Sequence, residues 1–428
     1  MRLGDERQTP RKRHAAKDRR LVASLCASQV LTMLGVFAFP ALLPQFIVDW
    51  SLSKTEAGWI AGVYFASYAL VAPLLISSTD RQDARRTYLG GTLVAAVSSV
   101  GFAVYADGFW TAMVFRALAG TALAATYMPG LRILVDRYRG EKPSRVISFY
   151  TASFSLGTAV SFFATGALAS AFGWRWAFGG AAMAAVVAFA IVFALPVATP
   201  NAQVNGGADA RREQRGSVLA LRPVVRNRAA LGFILAYGAH CWELFTLRSW
   251  LVAFLTVSAA AGAATGEVQL ALVPTTVATL SGLVAMAASI SGNELALHFG
   301  RARAIGWTMA ASALAAAVIG FLVHLPYSWV ALLALLYTAL VQLDSASLTA
   351  GVVAVARAGH QGATLALHAL FGFSCAGIGP LIFGWVLDLS KGNSTPASWG
   401  TAFVVTAVVA GMGIPALWLT RRGSGRGG

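Results

Sequence analysis

Residues 55–106 read TEAGWIAGVYFASYALVAPLLISSTDRQDARRTYLGGTLVAAVSSVGFAVYA, and the rest of the chain repeats their pattern. Two apolar runs, 55–78 and 86–106, flank a short loop that is rich in arginine. Each run is long enough to cross a bilayer as a helix, which takes about 20 apolar residues. Because basic loops stay on the cytoplasmic side of a membrane, the stretch predicts a transmembrane helical hairpin whose connection is cytoplasmic.

Similar runs continue in both directions along the 428 residues, of which 57% are hydrophobic. Gly and Ala are abundant inside them, as in helices that pack closely in lipid. No polar stretch is long enough for a separate soluble domain. We predict an all-α polytopic membrane protein of twelve transmembrane helices, near 21–49, 55–78, 86–106, 109–131, 146–172, 176–198, 228–257, 268–291, 303–325, 327–356, 361–388 and 398–420.

The basic residues indicate the orientation of these helices. If both termini are cytoplasmic, 28 of the 33 Lys and Arg lie on the cytoplasmic side, and only Lys54, Arg175 and Lys391 lie outside. An incorrect number of helices would scramble this partition. The net charge of +16 therefore reflects topology, and no nucleic-acid partner is expected. We predict a multi-pass protein of the plasma (bacterial inner) membrane, in contact with lipid.

A long polar connection, which includes NAQVNGGADARREQRG, divides the predicted helices six and six. The two halves resemble each other in sequence. When Arg85 is aligned with Arg301, Gly90 is also aligned with Gly306. This repeat predicts two six-helix bundles related by pseudo-two-fold symmetry. The predicted segments are a basic cytoplasmic tail at 1–20, expected to be disordered, an N-terminal bundle at 21–198, a cytoplasmic linker at 199–227, a C-terminal bundle at 228–420 and a tail at 421–428.

Residues 77–86, SSTDRQDARR, resemble the signature G-x-x-x-D-R-x-G-R-R that the major facilitator superfamily carries between its helices 2 and 3. The Asp-Arg and Arg-Arg pairs are present, the glycines are absent and the spacing is one residue longer. The copy after helix 8 keeps the glycines and Arg301. Arg116-x-x-x-Gly120 in helix 4 and GWRWAF at 173–178 are also similar to family patterns. Within the superfamily the chain is most similar to bacterial cyanate/nitrate-type anion carriers.

The resemblance implies a role for the charged loop after helix 2. In the family this loop forms a latch between the bundles on the cytoplasmic face, so Asp80 would meet a helix N-terminus or an arginine of the other bundle in the outward-open state. A carboxylate at a helix N-terminus gains about 0.3–1 kcal/mol, which suits a contact that breaks in every cycle. The alternative is that these charges only anchor the topology. The candidate gating residues are Asp80, Arg81, Arg85, Arg86 and Arg301.

Several ionisable side chains fall inside the predicted helices. A charged side chain in the middle of a membrane helix costs about 2.5–3.5 kcal/mol on insertion scales, so it usually faces a cavity or a partner. Two arginines indicate an anionic substrate, because a guanidinium binds carboxylates and oxyanions with paired hydrogen bonds. The alternatives are that Arg116 caps backbone carbonyls and that Arg248 reaches the outer interface. The candidate substrate-binding residues are Arg116, Arg248, Tyr127 and Tyr237.

The other buried ionisable residues are candidates for proton coupling. Glu243 is the first candidate, because burial favours the protonated form of a carboxylate. Its alternative is an ion pair with Arg248 or Arg116. Asp344 lies in a polar cluster of helix 10 and is either a proton relay or a polar structural contact. The candidates are Glu243, Asp344, His240 and His368, and the alternative for His368 is a core histidine.

These residues together predict a secondary active transporter that works by alternating access. Importing a monoanion into a negative-inside cell costs about 2.3 kcal/mol per 100 mV, and co-transport of a proton removes that cost. We therefore predict proton-coupled symport of a small organic or inorganic anion. The alternatives are a proton-linked exporter of amphipathic compounds, a channel and a non-transporting sensor. Because no catalytic, nucleotide-binding or metal-ligand motif is present, no enzyme activity, cofactor or metal is expected. The resemblance implies a monomer.

Overall fold

The computed structural model describes residues 8–79, 82–138, 143–195, 221–264, 272–357, 359–390 and 395–419, and no β-strand occurs within these ranges. We number the helices by membrane span, with letters for the parts of an interrupted span. A short helix, Leu221–Val225, precedes the seventh span. The helices are α1a (Gln8–Thr32), α1b (Ala38–Ala41), α1c (Leu43–Asp49), α2 (Lys54–Thr79), α3 (Ala84–Tyr105), α4 (Phe109–Arg137), α5 (Pro143–Phe172), α6 (Trp174–Phe193), α7 (Arg228–Ala264), α8 (Pro274–Phe299), α9 (Arg301–Ile319), α10a (Tyr327–Gln342), α10b (Ser345–Val355), α11 (Gln361–Leu389), α12a (Pro396–Gly411) and α12b (Gly413–Ala416).

Among the described residues, the eleven spans from α2 to α12 are each long and apolar enough to cross a membrane. The first span is not among them, because the 25-residue helix α1a is basic over its first half and the apolar part of the span is divided among three helices. Large apolar side chains such as Leu70 and Trp110 are more than two-thirds exposed on the protein surface, as expected for residues that face lipid. The prediction of twelve transmembrane helices in two bundles is confirmed, and the chain is a multi-pass membrane protein.

The basic N-terminal segment differs from its prediction. Helix α1a begins at Gln8, so the expectation of disorder is wrong for residues 8–20. Pro10 lies in the first turn, where the missing amide hydrogen costs nothing, and the alanines and basic residues that follow are good helix formers. A helix that is already nucleated in the membrane extends at little cost. Residues 1–7, residues 421–428 and most of the predicted linker lie outside the described residues.

The first span is interrupted inside the membrane, where a single helix over 21–49 was expected. Residues 33–37 form turns between α1a and α1b. The hydroxyl of Ser161 in α5 donates to the carbonyl of Leu34 at 2.7 Å and accepts from the amide of Phe37 at 3.1 Å. Such a break persists in a membrane only where the surrounding protein satisfies the freed backbone groups. Ser161 therefore performs part of that role, and we call residues 33–37 the α1 interruption.

The tenth span is also interrupted, at Leu343 and Asp344, where the sequence predicted one helix over 327–356. Helix α8 approaches the interruption so closely that a Cβ atom on Gly292 would overlap the carbonyl oxygen of Leu343. The hydroxyl of Ser347 donates to the carbonyl of Gly292 at 3.4 Å. A glycine is thus required on α8 where it meets the α10 interruption.

The buried apolar side chains of the described ranges form three clusters. One cluster spans both bundles and occupies their middle and outer parts. The other two lie towards the cytoplasmic ends, one within the N-terminal bundle around Tyr88 and Tyr150, and one within the C-terminal bundle around Phe233 and Met309. The bundles therefore pack together on the outer side and form separate cores on the cytoplasmic side, which is an inward-facing arrangement.

Candidate functional site

Arg248 of α7 lies buried between the two interrupted spans, with 4% of its surface exposed. Its guanidinium carbon is 5.7 Å from the ring centre of Phe37, the last residue of the α1 interruption. Its Nη2 atom lies 3.5 Å from Oε1 of Gln342, the last residue of α10a. In transporters built from repeated bundles, substrates and ions bind beside discontinuous helices at the bundle interface. Arg248 occupies that position.

Neither buried arginine has an acidic partner among the described residues. Within the part of the chain that the structure describes, neither Arg116 nor Arg248 forms an ion pair. The alternative that Glu243 pairs with one of them is therefore not observed. A guanidinium carries five N–H donors, and the single contact of Arg248 with Gln342 at 3.5 Å leaves most of them available. A buried cation in this condition is suited to binding an anion.

Arg116 of α4 makes the backbone contacts that the sequence left as an alternative to substrate binding. Its Nη1 and Nη2 atoms donate to the carbonyls of Gly35 and Val36, both at 3.1 Å. The guanidinium lies over the ring of Tyr64, 4.3 Å from the ring centre. Ser161 and Arg116 together therefore satisfy three successive carbonyls of the α1 interruption, those of Leu34, Gly35 and Val36. A role of Arg116 in binding substrate stays a prediction.

Three of the predicted proton-coupling residues, His240, Asp344 and His368, lie close together inside the C-terminal bundle. Nδ1 of His240 is 2.6 Å from Oδ1 of Asp344, and both side chains are at most 4% exposed. Asp344 immediately precedes α10b and so lies in the α10 interruption. The ring of Tyr237 stacks on His368 with 3.7 Å between centres, and its centre is 5.9 Å from that of His240. Helices α7, α10 and α11 therefore bring these residues into one polar cluster.

Glu243 joins this cluster with a hydroxyl group as its hydrogen-bond partner. The hydroxyl of Ser312 in α9 donates to Oε2 of Glu243 at 3.0 Å. The Oε1 atom of Glu243 and the buried hydroxyl of Tyr337 form no hydrogen bond among the described residues. A hydroxyl both donates and accepts hydrogen bonds, so it can serve either protonation state of a carboxyl group. The surroundings of Glu243 thus permit a proton to bind and leave.

The two candidate tyrosines lie on opposite sides of the bundle interface. Tyr127 of α4 stacks on Tyr150 with 6.0 Å between ring centres. Tyr237 of α7 stacks on His368 within the C-terminal bundle. A role of either tyrosine in binding substrate stays a prediction.

Aromatic rings from both bundles lie on the outer side of the polar cluster formed by α7, α10 and α11. Phe65 of α2 meets Phe245 of α7 with 4.4 Å between ring centres, and Tyr68 meets Phe373 of α11 at 4.1 Å. These pairs lie nearer the outer membrane surface than Tyr237 and the histidine cluster, as the directions of α2, α7 and α11 require. The polar cluster consequently faces the side on which the bundles form separate cores.

The candidate gating residues make contacts within their own bundles in this conformation. Arg85 donates through Nε to the carbonyl of Val192 at 3.1 Å, and through Nη2 to the carbonyl of Phe193 at the end of α6. Arg301 donates to the carbonyl of Ala350 at 3.3 Å. Arg86 is exposed. Asp80 and Arg81 lie outside the described residues, so a latch between the bundles stays a prediction.

Asp83 is a residue without a predicted role that makes defined contacts in the described part of this loop. Its carboxylate accepts from the backbone amide of Arg85 at 3.0 Å, which caps α3, and from Nη2 of Arg137 at 3.1 Å. The signal was present, since an Asp directly before the first residue of a helix is a typical N-cap. Ser312 and Tyr337 around Glu243 were also missed, because they lie on other helices.

Two repeated six-helix bundles with a buried polar site between them define a membrane transporter. The chain belongs to the Major Facilitator Superfamily, whose family model matches residues 25–341. This membership confirms the resemblance that the loop motifs carried.

Named relatives add to this assignment. Protein spinster homolog 3 of Danio rerio is 24% identical over 238 residues, which cover 55% of this chain and 47% of that protein. Protein spinster homolog 1 of Homo sapiens is 24% identical over 55% of this chain and 45% of its own length. The matched region thus spans about half the length of these relatives. The cyanate/nitrate branch stays a prediction.

A solved structure has the same fold over nearly the whole chain. It is that of a bacterial homolog to the human lysosomal transporter Spinster, in an inward-facing and unoccupied conformation. The TM-score is 0.79 at 14% identity, and the match covers 95% of this chain and 97% of that one. At this identity the likeness shows the fold alone.

Proposed function

We propose that this protein is a secondary transporter that carries a small organic or inorganic anion across the membrane together with protons, by alternating access. The observation that carries the proposal is Arg248, a buried guanidinium that lies between the two interrupted spans and has no carboxylate partner among the described residues. Leaving a charge buried and unpaired is costly, so its retention at the bundle interface favours a ligand that completes it. An anionic group of the substrate would form the missing hydrogen bonds.

Proton coupling is supported by the polar cluster around Asp344. Among the described residues the hydrogen-bond partner of Glu243 is the hydroxyl of Ser312, whereas Asp344 lies 2.6 Å from His240. The cluster adjoins the α10 interruption, and Gln342 beside it contacts Arg248. Gln342 therefore links the cluster that would bind the proton to Arg248, the proposed anion ligand. Entry of one proton with a monoanion cancels the cost of about 2.3 kcal/mol per 100 mV.

A second candidate function is the proton-linked export of amphipathic compounds. It is favoured by the aromatic rings beside Arg248, since Phe37 and Phe245 each lie 5.7 Å from its guanidinium. Such a surface accepts an apolar body attached to a charged group. The two functions differ in the direction of flux that an inward proton gradient drives, so one transport assay separates them.

Replacing Glu243 by Gln is expected to abolish proton-driven accumulation but to leave exchange intact, because the amide cannot bind and release a proton. The measurement is transport in proteoliposomes of an anion that stabilises the purified protein in a thermal-shift panel. Accumulation under an acid-outside gradient should fall at least tenfold in Glu243→Gln, while counterflow without a gradient should stay within about twofold of the wild type.

Glu294→Gln is the matched control, since Glu294 is an exposed carboxylate of the same bundle. It should transport as the wild type does under both conditions. Gradient-driven accumulation by Glu243→Gln equal to that of the control would contradict coupling through Glu243. Retained counterflow shows that the variant is folded, so a loss of accumulation cannot be attributed to misfolding.

A further inference from the structure

The two bundles are joined at their outer ends by the carboxylate of Asp388, near the end of α11. Its Oδ1 atom accepts from the backbone amide of Lys54 at 3.0 Å, and its Oδ2 atom accepts from the amide of Thr55 at 2.7 Å. The hydroxyl of Thr55 donates to the same Oδ2 atom at 2.6 Å. Among the hydrogen bonds between described residues, these three are the ones that link the bundles.

Helix α2 has a cap of its own, and this cap leaves two donors free. Oε2 of Glu56 accepts from the amide and the hydroxyl of Ser53, both at 2.9 Å, and the Ser53 hydroxyl accepts from the amide of Glu56 at 3.1 Å. The amide of Ala57 donates to the carbonyl of Ser53 at 3.0 Å. This reciprocal arrangement is a capping box. The amides of Lys54 and Thr55 stay outside it, and Asp388 of the other bundle accepts from both.

The backbones of α2 and α11 approach closely below this cap. A Cβ atom on Gly58 would overlap the carbonyl of Pro380, and one on Gly62 would overlap that of Gly377. Small residues allow this approach, and the flat surface that they form has few polar atoms to hold it in register. Asp388 supplies a directional contact at the end of that surface. It is half-buried and carries a charge that the positive N-terminus of α2 stabilises.

We propose that Asp388 is the outer gating residue of the transport cycle, whose bonds to the N-terminus of α2 hold the inward-facing state and break when the bundles part towards the outside. The proposal rests on the alternating access of the proposed function. In the outward-open state water replaces the carboxylate at Lys54 and Thr55, so the helix end stays solvated. The contact is therefore reversible, and its loss changes the balance of two states without removing a ligand of the substrate.

The test is the distance between the outer ends of the bundles, measured by double electron–electron resonance with spin labels at Tyr105→Cys and Ser328→Cys, which are exposed positions of α3 and α10a. The background carries Ala at the native cysteines Cys26, Cys241 and Cys375. Asp388→Ala is expected to add a longer-distance population, with the ratio of outward-open to inward-facing protein raised at least tenfold, or about 1.4 kcal/mol. Asp388→Asn keeps one acceptor and should give an intermediate ratio.

Glu56→Ala is the matched control, because it removes a carboxylate from the same helix N-terminus without touching the other bundle. It should lower the melting temperature as Asp388→Ala does but leave the distances unchanged. The proposal is overturned if Asp388→Ala keeps the wild-type distances, or if Glu56→Ala produces the same longer population. Because no substrate is needed, this test is independent of whether the transported molecule is an anion and of whether protons are coupled.

Discussion

Arg248→Gln is expected to lose anion binding by at least about 30-fold, because removing one partner of a buried, hydrogen-bonded charge pair costs about 2–5 kcal/mol. Glutamine follows the arginine stem only as far as Nε, so the packing of that stem is largely kept while the 3.5 Å contact with Gln342 is lost. Arg248→Lys retains the charge but loses the paired donors, and an intermediate affinity is expected. The measurement is a thermal-shift titration of purified protein over small carboxylates, inorganic anions and hydrophobic cations.

Arg175→Gln is the control for this substitution, since Arg175 is an exposed arginine at the start of α6. It should respond to every ligand as the wild type does. If Arg248→Gln keeps the full anion response, or if hydrophobic cations alone stabilise the wild type, Arg248 is not an anion ligand. The second outcome would favour the export of amphipathic compounds.

Arg116→Ala is expected to have the largest effect on stability of any single substitution considered for this chain. It leaves the carbonyls of Gly35 and Val36 without partners inside the membrane. Hydrogen bonds to a charged group contribute about 1.5–3 kcal/mol each, so a loss of several kcal/mol follows. The melting temperature should fall sharply, and Arg116→Lys should recover part of the loss because an ammonium still donates to one or both carbonyls.

Ser161→Ala provides the comparison, because Ser161 serves the same interruption through a neutral hydroxyl. Its effect should be smaller, near the value of about 1–3 kcal/mol for an unsatisfied buried group. An Arg116→Ala protein with wild-type stability that no longer responds to anions would contradict the structural role. That result would instead make Arg116 a substrate ligand, as the sequence also allowed.

Hydropathy and charge were sufficient to predict the architecture of this chain. The alternation of apolar runs with basic loops determines both the number of spans and their direction, because each follows from local composition. The same logic identified Arg116, Glu243, Arg248 and Asp344 as unusual, since an ionisable residue inside an apolar run needs a partner. The packing of three helices of one bundle then brings four ionisable residues into one cluster: His240, Glu243, Asp344 and His368.

The contacts that define the site were not predictable from the pattern along one helix. The sequence carries a partial signal for the α1 interruption, since Pro40 has no amide hydrogen to bond the carbonyl of Val36, but it does not show which groups replace that bond. The interruption is stabilised by Arg116 and Ser161, which are distant in sequence and lie on other helices. The hydrogen bonds of Asp388 with α2 are likewise contacts between the two halves of the chain. Contacts of this kind decide whether a buried charged residue has a structural or a functional role, and the sequence leaves both open.

Coupled flux in proteoliposomes tests the proposed transport most directly. Wild-type protein is reconstituted with an anion from the thermal-shift panel, and anion uptake is recorded together with the internal pH. An acid-outside gradient should drive the anion above its equilibrium level while protons enter with it, and exchange should persist without a gradient. Anion uptake that is indifferent to the proton gradient, or passive flux without exchange, would contradict proton-coupled transport by alternating access.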